Sequence, residues 1–246
     1  MRTKSILPHN LYDMPELREA RWVFHDRRHA GEVLAEMLKP HCRRTDLVMA
    51  IPAGGVPVGL VISKNLKIPF DVAVVSKITL PWNTEAGYGA VAFDGTYRLN
   101  QSLILRLNLS ETDIQKGIEQ TTEKVERRLE RIRGSRPFPD LSNRSIILVD
   151  DGLASGFTMK VATEAIRRAG ARTIRIAVPT AHAESLQLIK GDADAIYCPN
   201  IRSGWHYAVA DAYEEWTDVS ETEMIQMIEA YSGHESCESK EADSDE

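Results

Sequence analysis

The chain has 246 residues, of which 43% are hydrophobic and 27% charged, and its formal net charge is −6. These values are ordinary for a globular protein, and the length fits one large α/β domain with extras or two small domains. Residues 235–246 hold six acidic residues and one lysine, so most of the net charge is local. The rest of the chain is nearly neutral, which argues against a nucleic-acid-binding protein.

The three cysteines, Cys42, Cys198 and Cys237, are far apart and form no C-x-x-C pair. This spacing disfavours a disulfide framework or a metal site and indicates a reducing compartment. Residues 1–21 are polar and lack the apolar segment of a signal peptide. No stretch approaches the roughly 20 apolar residues of a membrane helix. We therefore predict a cytoplasmic protein without membrane contact, and a homodimer as the commonest assembly.

Hydrophobic periodicity and turn residues predict an alternation of helices and strands along the chain. This order favours a doubly wound, mostly parallel α/β sheet, in which ligands bind beyond the carboxyl ends of strands. The loops after residues 51, 76 and 149 are therefore the candidate site. The predicted elements are helix 16–39, strand 46–51, helix 58–65, strand 70–76, a hairpin over 89–99 with an Asp94-Gly95 turn, helix 110–133, strand 145–149, helix 158–169, strand 173–178, helix 182–190, strand 195–198 and helix 220–230.

Two adjacent carboxylates, Asp150 and Asp151, follow the apolar strand 145–149 directly. Like charges at the end of a buried strand are costly unless a ligand hydroxyl or a cation meets them. The small residues after them, at the start of a predicted helix, would let backbone N–H groups close around a phosphate. Together they indicate a phosphorylated sugar site, although the acids could instead only cap a turn and the helix. The candidate phosphate-binding residues are Gly152, Leu153, Ala154, Ser155, Gly156, Phe157 and Thr158.

Residues 146–158 resemble the signature of the type I phosphoribosyltransferases: four apolar residues, two acids, two variable residues and Ala-Ser-Gly-Phe-Thr. The similarity extends over about residues 21–215. It implies transfer of a 5-phosphoribosyl group from 5-phosphoribosyl-1-diphosphate to a nitrogenous acceptor, a nucleobase in purine salvage or related nucleotide metabolism. The resemblance also implies Mg²⁺ as cofactor, release of pyrophosphate, and Asp150 and Asp151 as residues that hold the ribose and the metal.

Two further loops fit the same resemblance. Ala53, Gly54 and Gly55 stand where the family binds pyrophosphate, although no basic residue is present there. Lys77 resembles the basic residue that reaches the diphosphate, and residues 80–89 resemble a flexible lid. Alternatively, residues 52–57 are only a tight turn, and Lys77 is a surface lysine.

The acceptor would bind beside a small hood at about 199–218, where Trp205 or Tyr207 could stack on a base and Asp211 could accept a hydrogen bond. Both aromatic rings could equally be packing residues. Ala154 replaces an aspartate of the 6-oxopurine transferases, and residues 77–94 also resemble predicted family members of unsettled substrate, so the acceptor stays open. The predicted layout is an N-terminal extension (1–20), the catalytic domain (21–232) and a disordered acidic tail (233–246).

Other functions remain open at this point. A non-catalytic sensor of 5-phosphoribosyl-1-diphosphate could share the fold, because fold alone does not decide function. A sugar-phosphate hydrolase is weaker, since no nucleophile or base stands at the strand ends. The arginines of helix 110–133 alternate with glutamates, which indicates a solvated face with ion pairs rather than a nucleic-acid surface. These arginines are Arg127, Arg128, Arg131 and Arg133.

Overall fold

The structure, a computed structural model, describes residues 7–80 and 82–242, and of residues 84–86 and 232–242 the backbone alone. Strands and helices alternate, as predicted. The strands are β1 (Leu11–Tyr12), β2 (Leu47–Ala50), β3 (Phe70–Val72), β4 (Val75–Leu80), β5 (Asn83–Ala92), β6 (Tyr97–Leu99), β7 (Ser145–Val149), β8 (Thr173–Ala177), β9 (Thr180–His182), β10 (Ala195–Tyr197) and β11 (Asn200–Arg202). The helices are α1 (Arg27–Leu38), α2 (Gly55–Leu66), α3 (Gln101–Leu107), α4 (Glu111–Arg133), α5 (Phe157–Arg168), α6 (Ala183–Ile189) and α7 (Glu221–Ala242).

The central sheet has six parallel strands in the order β1-β10-β8-β7-β2-β3. Strand β7 lies in the middle, and its residues alternate between two apolar cores. Ile146 and Leu148 pack in the core that contains residues of α5, while Ile147 and Val149 pack in the core that contains residues of α1 and α2. A strand buried on both faces explains the unbroken apolar run, and its predicted bounds are confirmed.

A second, antiparallel sheet of three strands, β4-β5-β6, adjoins the central one. Helix α4 packs on β4 and β5, and its last residue is anchored to the edge strand β3. The anchor is a two-pronged ion pair, in which the guanidinium of Arg133 donates to the two carboxylate oxygens of Asp71 at 2.7 and 3.0 Å. This arrangement holds α4 beside the carboxyl end of the central sheet.

The residues before α1 are part of the folded unit. Strand β1 pairs with β10 at one edge of the central sheet, and Phe24 forms a parallel bridge with Tyr213. The predicted boundary at residue 20 therefore does not separate an extension from the domain, within the part of 1–20 that the structure describes.

Several predicted elements were wrong in their bounds. Helix α1 begins at Arg27, not residue 16, because Asp26 caps it by accepting a hydrogen bond from the His29 amide at 2.8 Å. Positive φ angles at Glu19 and Trp22 exclude a continuous helix there. The predicted strand 70–76 is split between β3 and β4, and α3 was not predicted at all.

The predicted lid and tail also differ from expectation. Leu80 pairs with Asn83, so residues 83–89 are the first part of strand β5 in a β-hairpin rather than a long loop. Helix α7 extends to Ala242 and so covers residues 233–242 of the predicted disordered tail, while 243–246 lie outside the described residues. None of the helices in the described ranges is long and apolar enough to cross a bilayer.

Candidate active site

A cleft of about 400 Å³ opens where the carboxyl end of β7 faces β4 and α4. It collects residues from all three loops that the sequence analysis singled out. Of the predicted residues, those on its wall are Gly54, Lys77, Asp150, Asp151, Gly152, Leu153, Ala154, Ser155, Gly156 and Thr158. The remaining lining residues were not predicted: Ile51, Pro52, Val75, Ser76, Thr79, Lys124, Arg128, Met159, Val209 and Trp216.

Asp151 is held by an ion pair from α1. The Arg27 guanidinium donates to Asp151 Oδ2 from Nη2 at 2.9 Å and from Nε at 3.0 Å. Arg27 also donates to the carbonyl of Thr217 at 2.7 Å and stacks on the ring of Trp216, 3.8 Å from its centre. The hydroxyl of Tyr213 donates to the carbonyl of Asp151 at 2.6 Å. The second acid is therefore locked in place from both its side chain and its backbone.

Asp150 lacks such a cation. Its Oδ1 accepts a hydrogen bond from the Asp151 amide at 2.9 Å. Withdrawal from bulk water raises the pKa of Asp150 well above its ordinary value, the charge of Asp151 raises it further, and Lys77 acts in the opposite direction. Burial also raises the pKa of Asp151, but the charge and hydrogen bond of Arg27 lower it. Of the two acids, Asp150 thus bears the larger unbalanced cost of ionisation.

The loop from Gly152 to Gly156 is fixed against strand β9 and helix α6. Leu153 exchanges backbone hydrogen bonds with Thr180 (2.9 Å) and His182 (3.0 Å), and the Ser185 hydroxyl donates to the carbonyl of Ala154. Gly156 has a φ of +74°, a left-handed conformation that side chains disfavour, immediately before α5. Within the described part of the chain, the N–H groups of residues 154–156 have no hydrogen-bond partner. They and the start of α5 offer donors to an anion.

The loop after β2 approaches the acids so closely that only glycine fits. A Cβ atom on Gly54 would lie 2.0 Å from Asp151 Oδ2, and one on Gly55 would lie 2.7 Å from the carbonyl oxygen of Val149. The peptide bond between Pro52 and Ala53 is cis. Gly54 lines the cleft, whereas the predicted residues Ala53 and Gly55 are not on its wall.

Cations line the wall opposite the acids. The alternation of β4 places Val75, Lys77 and Thr79 on one face, toward the cleft. Lys77 was predicted at the end of a main-sheet strand, but it projects from the middle of β4 instead. Ser76, next to it, has a buried hydroxyl without a hydrogen-bond partner among the described residues.

Helix α4 adds Lys124 and Arg128 to this wall. The side chain of Arg128 is only 16% exposed, and its Nε donates to Glu221 at the start of α7 at 3.2 Å. The prediction that the arginines of α4 lie on a solvated face is therefore wrong for Arg128, and also for Arg133, whose side chain is 12% exposed. It holds for Arg127, whose side chain is 65% exposed and paired with Glu123.

The predicted aromatic residues do not reach the cleft. Trp205 is fully exposed, and the Tyr207 hydroxyl donates to Thr180 while its ring lies under the guanidinium of Arg202. Asp211 faces Arg202 and Arg21 at 3.5 and 3.7 Å. Trp216 is the aromatic side chain in the cleft wall. No sequence motif identifies Trp216 as a cleft residue. Its position depends on a tertiary contact, the stacking of its ring on Arg27.

Residues 94–213 match the family model described as phosphoribosyl transferase domain. The matched part of the chain is a phosphoribosyl transferase domain. It includes β7 with its two acids and the loop before α5. The loop after β2 and Lys77 lie before the matched range.

Individual relatives agree with this result. Two curated Mycobacterium tuberculosis proteins, from strains CDC 1551 and H37Rv, are each 31% identical over 207 residues. They are named "Putative phosphoribosyl transferase MT0597" and "Putative phosphoribosyl transferase Rv0571c". The match covers 84% of this chain and 46% of each relative, so the chain spans about half their length. The crystal structure of TT1426 from Thermus thermophilus is 29% identical with a TM-score of 0.69, and the match covers 85% of this chain and 98% of that one.

The resemblance to phosphoribosyltransferases implies Mg²⁺. The described residues contain no group of three or more histidine, cysteine or acidic side chains that could hold a metal ion. Magnesium is commonly bound by one or two carboxylates together with phosphate oxygens of a substrate. Asp150 and Asp151 fit that pattern, because they supply two carboxylates next to a phosphate-binding loop and an added cation would offset their repulsion.

The two acids should respond oppositely to neutralisation. Asp150→Asn should raise the melting temperature of the free protein near neutral pH, because ionised Asp150 destabilises the folded state. The gain should be absent at low pH, where this carboxyl is protonated in both folded and unfolded chains. It should grow as the pH rises from the ordinary pKa of an aspartate toward the raised pKa of Asp150, and level off above that. Thermal unfolding over a pH series measures this difference.

Asp151→Asn is the matched comparison. It leaves the partly buried Arg27 without a carboxylate, so it should lower the free energy of unfolding by about 2 kcal/mol at neutral pH. Equal melting temperatures for both variants and the parent protein would contradict the assigned roles of the two acids.

Proposed function

We propose that the protein is an active enzyme that transfers a 5-phosphoribosyl group from 5-phosphoribosyl-1-diphosphate to a nitrogenous base. One observation carries this proposal. A single cleft joins two adjacent carboxylates, a loop with free N–H groups before α5, and three cations on the opposite wall. The carboxylates suit the ribose hydroxyls, the N–H groups suit a 5′-phosphate, and the cations suit a diphosphate.

The sugar would lie over the end of β7. Asp150 and Asp151 accept hydrogen bonds from its two ribose hydroxyls, and Arg27 keeps Asp151 in position for this. The 5′-phosphate takes the N–H groups of residues 154–156 together with the hydroxyls of Ser155 and Thr158, where the dipole of α5 also favours an anion.

The diphosphate would lie against the opposite wall. Lys77, Lys124 and Arg128 neutralise it, and they replace the basic side chain that the loop at Ala53 lacks. Magnesium bound with the substrate would supply further charge neutralisation on the leaving diphosphate. As the bond between C1 and the diphosphate oxygen breaks, positive charge develops on the ribose ring. The two carboxylates stabilise that charge until a nitrogen of the acceptor bonds to C1.

The acceptor base would contact Trp216. This ring and Val209 belong to the predicted hood and line the cleft. An aromatic wall beside the ribose position suits a planar base, since stacking contributes about 0.5–1.5 kcal/mol beyond area burial.

The function is tested by pyrophosphate release from 5-phosphoribosyl-1-diphosphate and Mg²⁺ with adenine, guanine, hypoxanthine, xanthine, uracil or orotate. We expect release that depends on one base and that Asp150→Asn reduces by a factor of about 100 or more. Tight binding of the sugar diphosphate without release for any base would instead identify a sensor. Absence of binding would overturn the site, and formation of ribose 5-phosphate without a base would identify a hydrolase.

Lys124 tests the role of α4. Lys124→Gln should weaken binding of the sugar diphosphate roughly tenfold, because one charged contact to phosphate is lost. Lys116→Gln removes the same charge from α4 at an exposed position outside the cleft and should leave affinity unchanged. Titration calorimetry of both variants makes the comparison. Equal affinities would exclude Lys124 from the diphosphate site.

Trp216 tests the base position. Trp216→Leu should raise KM for the acceptor roughly tenfold, because stacking and apolar contact are lost. Trp205→Leu makes the same change on an exposed ring and should have no effect. Because Trp216 also stacks on Arg27, KM for the sugar diphosphate is measured in parallel. An equal rise in both constants would assign Trp216 to the support of Arg27 rather than to the base.

A further inference from the structure

A second cleft lies at the amino ends of the central strands, beside the first residues of β2, β7 and β8. It encloses about 640 Å³, within the range of small-molecule sites. The residues on its wall are polar or charged for the most part: Arg43, Thr45, Asp46, Asn143, Arg144, Ser145, Arg172, Thr173 and Arg175, together with Pro40, His41 and Cys42.

Backbone contacts fix the arginines relative to one another. The amide of Arg172 donates to the carbonyl of Arg144 at 2.9 Å, so these two residues are neighbours at the starts of adjacent strands. The buried Asp46 accepts from the amide of Arg43 at 3.0 Å and from Nη1 of Arg175 at 3.1 Å. The four arginines therefore stand on a rigid frame.

The charge of this cleft is unbalanced. Its wall has four arginines but a single acidic residue, Asp46, which is already paired with Arg175. Within the described part of the chain, the guanidinium groups of Arg43, Arg144 and Arg172 have no hydrogen-bonded or ion-paired carboxylate, although Arg144 interacts with Asp140 electrostatically at longer range. Burial raises the pKa of the Cys42 thiol to about 11, so it adds no negative charge at neutral pH. Such an excess is notable in a chain whose net charge is −6.

We propose that this cleft binds a small oligophosphate anion, at a site separate from the catalytic cleft. Guanidinium groups match phosphate oxygens in pairs, and three arginines without a hydrogen-bonded carboxylate complement a chain of two or three phosphates. The hydroxyls of Thr45, Ser145 and Thr173 and the amide of Asn143 supply further hydrogen bonds. Bound ligand would bridge the amino ends of the same strands whose carboxyl ends support the catalytic acids.

The test is calorimetric titration of the full chain with inorganic triphosphate in the absence of Mg²⁺. The double variant R144Q/R172Q should weaken binding at this site roughly tenfold to a hundredfold, because two charge-assisted contacts are lost. R106Q/R127Q removes the same charge from exposed positions outside both clefts and should bind as the parent protein does. K77Q/K124Q disables the catalytic cleft and should leave the triphosphate component of the second cleft intact.

Unchanged triphosphate binding in R144Q/R172Q would overturn the proposal, and so would loss of all binding in K77Q/K124Q. Melting temperatures verify that each variant is folded. If R144Q/R172Q is not folded, Arg43→Gln serves in its place, since this exposed side chain has no ion pair with any described residue. It should weaken binding several-fold. Binding should also decline as the salt concentration rises.

Discussion

Two neighbouring carboxylates at the end of a buried strand are the constraint on which the site depends. Their mutual repulsion and their removal from water disfavour the ionised forms of both side chains. The structure offsets this through an ion pair for Asp151 alone, with Arg27. Asp150 remains without a cation of its own. The fold thus keeps Asp150 where its ionised form is disfavoured, and a ligand that contacts it would reduce this penalty. Such a site lowers the stability of the free protein and raises its affinity for the ligand.

Successive contacts from surrounding elements hold this pair of acids in position. Arg27 holds Asp151, Trp216 covers Arg27, and Tyr213 fixes the backbone beneath. Gly54 lets a neighbouring loop touch the same carboxylate. These contacts come from segments up to 190 residues apart, which only the parallel sheet brings together. The geometry of the cleft is therefore a property of the whole domain rather than of one motif.

The motif and its strand were predictable because their signals are local. The apolar run of β7 fixes a strand covered on both faces, and the residues after it match a family signature. The sequence analysis missed Lys124, Arg128 and Trp216. Residue type alone does not reveal whether a charged helix face or a lone tryptophan points to solvent or into a cleft. Trp205 was chosen for its nearness to the last strand, but the chain turns its ring to solvent. The hairpin at 83–89 was taken for a loop because its glycines masked the strand pattern.

The contact between Arg128 and Glu221 joins the cleft to the C-terminal helix. Arg128 has one guanidinium to share between that carboxylate and a phosphate in the cleft. A ligand that drew Arg128 away from Glu221 would weaken this one contact of α7, which Arg131 and the buried Met224 would continue to hold. By thermodynamic linkage, the contact would lower the affinity for such a ligand by the same factor.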